Sequence, residues 1–123
     1  RYSEDDLVAK GADFIQEFYW ELKDFAENIS PEIQSEVKKR YISFKLDKRT
    51  IFSLIIRKNS LILNINVKYA EFENGDYPEI RDMSNVGHWA TGECEMKIDN
   101  IDQLDSAKEI MKLSYRLNSQ EGK

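Results

Sequence analysis

Several chemistries are excluded by what this chain has little of. It holds one cysteine, Cys94, among 123 residues, so no intrachain disulfide can form, which suits a reducing compartment. It holds one histidine, His88, which removes most metal and acid–base templates that need two. Two prolines and five glycines leave no low-complexity linker. No apolar run approaches the roughly 20 residues that cross a bilayer, so no membrane partner is expected. No phosphate-cradling glycine motif and no nucleophile elbow occur, so no cofactor and no catalytic residues are expected. The first residues, Arg1-Tyr2-Ser3-Glu4-Asp5-Asp6, carry no signal-peptide pattern, so a cytoplasmic location is the expectation. The chain starts on Arg rather than Met and is expected to be one domain, 1–123, cut from a longer protein.

What is present is a foldable balance, 41% hydrophobic and 33% charged residues. The net charge of −5 hides an asymmetry. Residues 1–37 hold 3 basic and 10 acidic side chains, residues 38–68 hold 9 and 1, and residues 69–123 hold 6 and 12. A basic centre lies between acidic arms.

Leu7, Phe14, Phe18, Leu22, Phe25 and Ile29 recur at steps of three, four and seven, which predicts one helix from about Glu4 to Asn28. Ser30-Pro31 reads as a cap and first turn of a short second helix to about Lys39, with Ile33 and Val37 inward. Alternation then takes over in Tyr41–Leu46, Ile51–Lys58 and Leu61–Lys68. An Asn59-Ser60 turn would pair Ile56 with Leu63, Leu54 with Ile65 and Phe52 with Val67. A three-residue loop, Asp47–Arg49, would set Phe44 opposite Phe52 and Ile42 opposite Leu54. Residues 69–92 read as a long loop, with a helical turn near Pro78–Met83. Glu93–Ile98 alternates as a fourth strand. Asn100 or Asp102 caps a last helix to about Leu117, with Leu104, Ala107, Ile110, Met111, Ser114 and Leu117 buried and a fraying tail.

The predicted fold is therefore a two-layer α+β domain. A four-stranded, mainly antiparallel sheet carries the N- and C-terminal helices on one face, in the order α-α-β-β-β-loop-β-α.

Tyr41-Ile42-Ser43-Phe44-Lys45, the segment Arg81-Asp82-Met83-Ser84-Asn85-Val86-Gly87-His88-Trp89-Ala90-Thr91-Gly92-Glu93 and the helix ending Ile110…Ser114-Tyr115 resemble one family. It is a family of bacterial and archaeal domains of unknown function labelled "predicted transport protein". Gly87-His88-Trp89 is the most specific part, and Ala90 stands where the family usually has Gly. Family members often form the C-terminal part of longer chains with nuclease- or restriction-like domains. The resemblance thus implies a nuclease-like partner domain in the same chain. It implies no established activity and no catalytic residues.

Three functions follow as expectations. The leading one is a non-enzymatic accessory module that contacts nucleic acid or positions a nuclease-like partner. Tyr41, Lys45, Arg57, Asn64, Asn66 and Lys68 share one sheet face, where cations track phosphates and amides or an aromatic meet bases. The bland alternative is that these cations pair with the acidic helices. The second is a protein-interaction or homodimerisation module using Trp20, Ile51, Ile55 and Ile62. The third is a small-ligand pocket at Asp82, His88, Trp89 and Glu93. Against it, His88 suits a structured turn and Trp89 a core cap, and Cys94 alternates with Met96 and Ile98 as a core residue.

Overall fold

A computed structural model describes residues 2–73, 75–86 and 92–121. Two helical segments come first, α1 (Glu4–Val8) and α2 (Asp13–Ile29). The single long helix expected here is broken at Gly11, and the reason is packing. A Cβ at Gly11 would lie 2.9 Å from Ile15 Cγ2 and 3.0 Å from Ile56 Cγ2. The chain turns there, and the Ala12 N–H donates to the Lys58 carbonyl at 2.8 Å. The break also rotates the buried stripe. Ile15, Tyr19, Leu22 and Ala26 are wholly buried, while Phe14 is 42% exposed and meets Phe18 edge to face. Tyr19 Oη donates to Glu4 at 2.5 Å and Lys23 Nζ reaches the same oxygen at 2.6 Å, which ties α1 back onto α2.

The predicted second helix is a strand, β1 (Ile33–Val37). The Ser30 hydroxyl does accept from the Glu32 N–H, as a cap would, but the turn ends there. Ile33 and Val37 are four residues apart, a spacing that puts both on one face of a helix or of a strand. Local pattern cannot separate the two, and pairing with the next strand decides.

The sheet continues with β2 (Ile42–Leu46), β3 (Arg49–Ile56), β4 (Leu61–Ile65), β5 (Arg81–Asp82) and β6 (Cys94–Ile98). Among the described residues it has six strands in the order β1-β2-β3-β4-β6-β5, all adjacent pairs antiparallel, rather than the four expected. The additions are the two edges. Near Pro78–Met83, where a helical turn is expected, one turn forms, closed by Ile80 N–H on the Tyr77 carbonyl at 3.1 Å, and β5 follows it; a 3-10 turn forms earlier, at Tyr69–Phe72.

Ile42 pairs with Leu54 and Phe44 with Phe52, as the alternation requires. The loop between them closes in two residues, with Asp47 at φ 56°, and a bulge between Phe44 and Lys45 absorbs the third. The β3–β4 register differs from expectation by two residues. Phe52 pairs with Ile65, Leu54 with Leu63 and Ile56 with Leu61, so the turn is Lys58-Asn59. A two-residue slip keeps every side chain on its predicted face. In this register the turn residue Lys58 accepts from the Ala12 N–H.

The last helix, α3 (Leu104–Glu121), follows a 3-10 turn at Ile101–Gln103. The Asn100 side chain accepts from Asp102 N–H, and Gln103 Oε1 accepts from Asn100 N–H. Leu104, Ala107, Ile110, Met111 and Ser114 are buried as expected. Leu117, expected in the buried stripe, is only half-buried, and the helix runs on to Asn118, which is 3% exposed and bonds Asn66 O at 3.1 Å. Both α2 and α3 lie on the sheet face made by Ile42, Phe44, Phe52, Leu54, Leu63, Ile65, Cys94 and Met96. The opposite face is buried too. Ile55, Ile62, Ser43, Ser53 and Asn64 are all at most 5% exposed within the chain itself.

Candidate functional site

The six residues expected to make a nucleic-acid face do not form one surface. Asn64 is 1% exposed, out of reach from outside. Asn66 is half-buried and donates to the Thr50 carbonyl at 2.8 Å. Lys45 is half-buried and bridges to Glu36 at 2.5 Å, and Lys38 reaches the same carboxylate at 3.2 Å. These two ammonium groups hold the Glu36 carboxyl below its usual range, mainly through the bond from Lys45. Tyr41 is half-buried. Arg57 and Lys68 are exposed, but at opposite ends of β4. A buried sheet centre between them separates the cations.

Topology gathers charge elsewhere. In an antiparallel meander, alternate turns fall at the same end of the sheet. The β1–β2 turn carries Lys38, Lys39 and Arg40, and the β3–β4 turn carries Arg57 and Lys58. The Lys58 carbonyl bond to Ala12 brings the link between the first two helices to this end, with Lys10 in it. Lys10, Lys39, Arg40, Arg57 and Lys58 are all exposed. Glu36 lies two residues before Lys38 and pairs with it at 3.2 Å, Asp13 lies three residues after Lys10, and Asp99 follows the end of β6. The sequence signal for this cluster was the spacing of basic pairs by one hairpin period, visible once strand order was known.

The other end of the sheet is concave. A cavity of about 1100 Å³ lies between β1, the β2–β3 turn and the end of α3, with Gln34, Lys48, Arg49, Tyr115, Asn118 and Ser119 among its lining. A second of about 310 Å³ shares Asn118 and includes Asn66, Lys68 and Glu71. No local motif announced either, because three separate elements build them. Both carry mixed charge, Lys48 and Arg49 facing Glu32 and Asp47 in the larger.

The residues expected to form a homodimer surface are divided. Ile51 is wholly buried in the core beside the bulge, and Ile55 and Ile62 are 5% and 4% exposed. They are unavailable to a partner. Trp20 is 41% exposed, with Tyr19 edge-on at 5.0 Å and Lys23 Nζ 5.6 Å from its ring centre.

Of the expected ligand pocket, His88 and Trp89 lie outside the described residues. Asp82 is exposed and its carboxylate is occupied locally, accepting from Ser84 N–H at 3.0 Å and from Ser84 Oγ at 2.7 Å. Those bonds, the backbone one first, hold it below the usual carboxylate range. Glu93 is half-buried, and its carbonyl accepts from Met83 N–H at 2.6 Å. Cys94 is wholly buried, its thiol donating to Val67 O at 3.1 Å. Burial above all, with Glu93 and Asp82 behind it, pushes this thiol up to about 12, the opposite of a reactive cysteine. Among the described residues no group of three or more His, Cys, Asp or Glu side chains could hold a metal ion. No helix among them is long and apolar enough to cross a membrane.

One family model matches residues 4–118, that of a domain of unknown function, DUF5655. An uncharacterised protein of Haemophilus influenzae (strain ATCC 51907 / DSM 11121 / KW20 / Rd) is 34% identical over 117 residues. The match takes in 94% of this chain and 37% of that protein, so the chain spans little more than a third of the relative's length. No solved structure matches.

Proposed function

The chain belongs to the DUF5655 family of domains of unknown function, and on that premise we propose that it is a non-enzymatic accessory module that contacts nucleic acid. The contact surface is the basic end of the sheet: Lys10, Lys39, Arg40, Arg57 and Lys58. The observation that carries this reading is convergence. Two hairpin turns and the α1–α2 link bring exposed cations from three places in the sequence to one end of a rigid sheet. Phosphates are met by such clusters at a cost of little side-chain rearrangement, and without base reading. The concentration of charge in turns rather than on a flat face favours backbone contact over stacking. The longer H. influenzae relative leaves room for further domains, so a nuclease-like neighbour positioned by this module belongs to the same proposal.

Fluorescence anisotropy with labelled single- and double-stranded DNA and RNA, at low and physiological salt, tests it. Wild-type chain is expected to bind weakly, with log K falling by about 0.7 to 0.9 per phosphate contact per decade of salt. An Arg57→Glu/Lys58→Glu variant is expected to lose about tenfold or more, and a Lys48→Glu/Lys68→Glu variant at the far end much less. Equal losses in both, or no binding by wild type at low salt, would sink the reading. The exposed Trp20 would then make a protein-interaction module the better account, with mass in solution as its readout.

A further inference from the structure

The two edges of the sheet are built differently. β5 is two residues long, and shortness protects an edge from pairing with another chain. β1, at the other edge, runs from Ile33 to Val37 with no proline and no bulge in its pairing. Its backbone groups divide by parity. Lys38 N–H donates to the Tyr41 carbonyl at 2.8 Å, so these two residues form a hydrogen-bonded pair at the end of the β1–β2 ladder. Such pairs alternate along antiparallel strands, so Gln34 and Glu36 also turn their backbone groups toward β2. Ile33, Ser35 and Val37 turn theirs outward. Ile33 N–H folds back to the Ser30 carbonyl at 3.2 Å. The N–H groups of Ser35 and Val37 and the three outward carbonyls make no backbone hydrogen bond among the described residues.

An edge with donors and acceptors in the plane of the sheet can accept another strand. The side chains say which strand fits. Paired antiparallel with a second copy of itself about Ser35, the edge sets Ile33 opposite Val37, Gln34 opposite Glu36 and Glu32 opposite Lys38. Directly opposed residues share a face, so these are contacts of apolar with apolar, amide with carboxylate, and acid with base. The backbone agrees. Ser35 of each copy donates to and accepts from Ser35 of the other, and Val37 N–H of each reaches the Ile33 carbonyl of the other. Neighbouring registers are worse. Centring on Gln34 sets Glu32 against Glu36, and centring on Glu36 sets that carboxylate against itself.

The edge is open to a partner. Glu32, Gln34, Ser35 and Glu36 are exposed, and Val37 and Lys38 are half-buried. Ile33 is buried, so it contributes its carbonyl more than its side chain. The Glu36 carboxylate accepts from Lys45 at 2.5 Å and from Lys38 at 3.2 Å. A carboxylate has room for about four donors, so it can also take the Gln34 amide of a second copy. The same pairing brings the basic β1–β2 turn of one copy to the start of the other's β1. That end is concave: the cavity of about 1100 Å³ opens beside Glu32, Gln34 and Asp47, which leaves space and two carboxylates for an incoming basic turn.

We infer that the β1 edge is a homodimer interface, in which two copies of this chain pair β1 with β1 antiparallel about a two-fold axis at Ser35 and join their sheets into one. Two short strands make a small interface, so the association is weak and depends on concentration. It is also closed, because pairing uses up β1 in both copies and leaves only the two-residue β5 at each outer edge. The inference goes beyond the nucleic-acid reading and does not rest on it.

Sedimentation equilibrium of the 123-residue chain from about 10 μM to about 1 mM, the range of weak interfaces, is the test. A monomer–dimer equilibrium is expected, with no larger species. Ser35→Pro should abolish the dimer and leave the monomer folded by circular dichroism, since proline is tolerated on an edge strand whose N–H faces solvent. A charge exchange keeps the inference testable if that variant misfolds. Glu32→Lys and Lys38→Glu should each weaken the dimer about 2- to 30-fold through two like-charged contacts, and the two changes together should restore it. Hydrogen exchange should slow at Ser35 and Val37 N–H only at the high concentration. The inference fails if the chain is monomeric throughout, if folded Ser35→Pro still dimerises, or if the double exchange does not restore what the single changes lose. A dimer lost in Trp20→Ala but kept in Ser35→Pro would overturn it in favour of an interface on α2. A chain that stays monomeric, yet whose Ser35 and Val37 N–H groups are protected by an added extended peptide, would assign the edge to a different partner.

Discussion

Gly92 carries φ +131°, a region that L side chains rarely adopt, and a Cβ there would sit 2.4 Å from the Ile65 carbonyl oxygen. The approach matters because Ile65 pairs with Cys94, two residues on, so the chain must enter β6 tight against the end of β4. The pattern Gly92-Glu93-Cys94 was legible in the sequence only as a turn before a strand. Gly92→Ala is expected to cost about 1–3 kcal/mol from backbone strain, with the clash added. Urea unfolding checks this: the midpoint should fall with the m-value unchanged. Unchanged stability would mean that β6 enters the sheet by another path. At this same scale the sequence placed Cys94 correctly in the core, because strict alternation with Met96 and Ile98 leaves one choice of face.

Among elements, α3 is held to the sheet by more than its apolar stripe. Ser114 Oγ donates to the Ile51 carbonyl at 2.6 Å, and Ile51 is the residue displaced by the bulge in β3. The same carbonyl accepts from Asn66 N–H at 3.0 Å. Asn118 Nδ2 adds bonds to Asn66 O and Ser114 O. A bulge frees backbone groups from the ladder, and this helix satisfies them. Ser114→Ala is expected to cost about 1–3 kcal/mol, since it leaves a buried carbonyl with one fewer donor. Glu21→Ala breaks the Lys108–Glu21 contact at 2.7 Å between α2 and α3, yet Glu21 is half exposed, so at most about 1 kcal/mol is expected. Chemical denaturation of the two variants side by side checks the order, and a larger loss for Glu21→Ala would contradict it. Element type was read well for β2, β3, β4, β6 and α3 and wrongly for β1 and β5, and α1 and α2 were read as one helix. Four-residue spacing of Ile33 and Val37 fits two periods at once, and only the partner strand breaks the tie.

For the whole molecule, alkaline pH is the condition that tests the core. Burial pushes the Cys94 thiol up to about 12, and burial followed by the bond to Glu4 pushes the Tyr19 phenol up as well. Unfolded, they ionise near about 8.5 and 10. Above about pH 8.5 the unfolded chain therefore releases a proton that the folded chain keeps, so it binds fewer protons and stability falls as pH rises. The thiol's share is fully present below about pH 8.5 and is lost progressively toward pH 12, the phenol's starting near pH 10. Each group contributes a slope of up to about 1.4 kcal/mol per pH unit. Urea midpoints between pH 7.5 and 11 check it, and Cys94→Ala should delay the onset. A profile that stays level to pH 11 in wild type would show that neither group is held neutral by the fold.

Composition and periodicity by themselves determined an antiparallel α+β chain with its N- and C-terminal helices against an apolar sheet face. Alternation sets which face each side chain takes, and a two-residue slip in register leaves that unchanged. They also isolated the basic middle third, since charge is counted without coordinates. Tertiary structure alone decided which of those cations come together. Strand order puts the β1–β2 and β3–β4 turns at one end, and a surface cannot be read from residues whose neighbours lie on other strands. It alone showed Asn64 to be buried, opposite Ser53 and without a partner. Burial on the second sheet face depends on what the rest of the chain lays over it, and no local pattern carries that information.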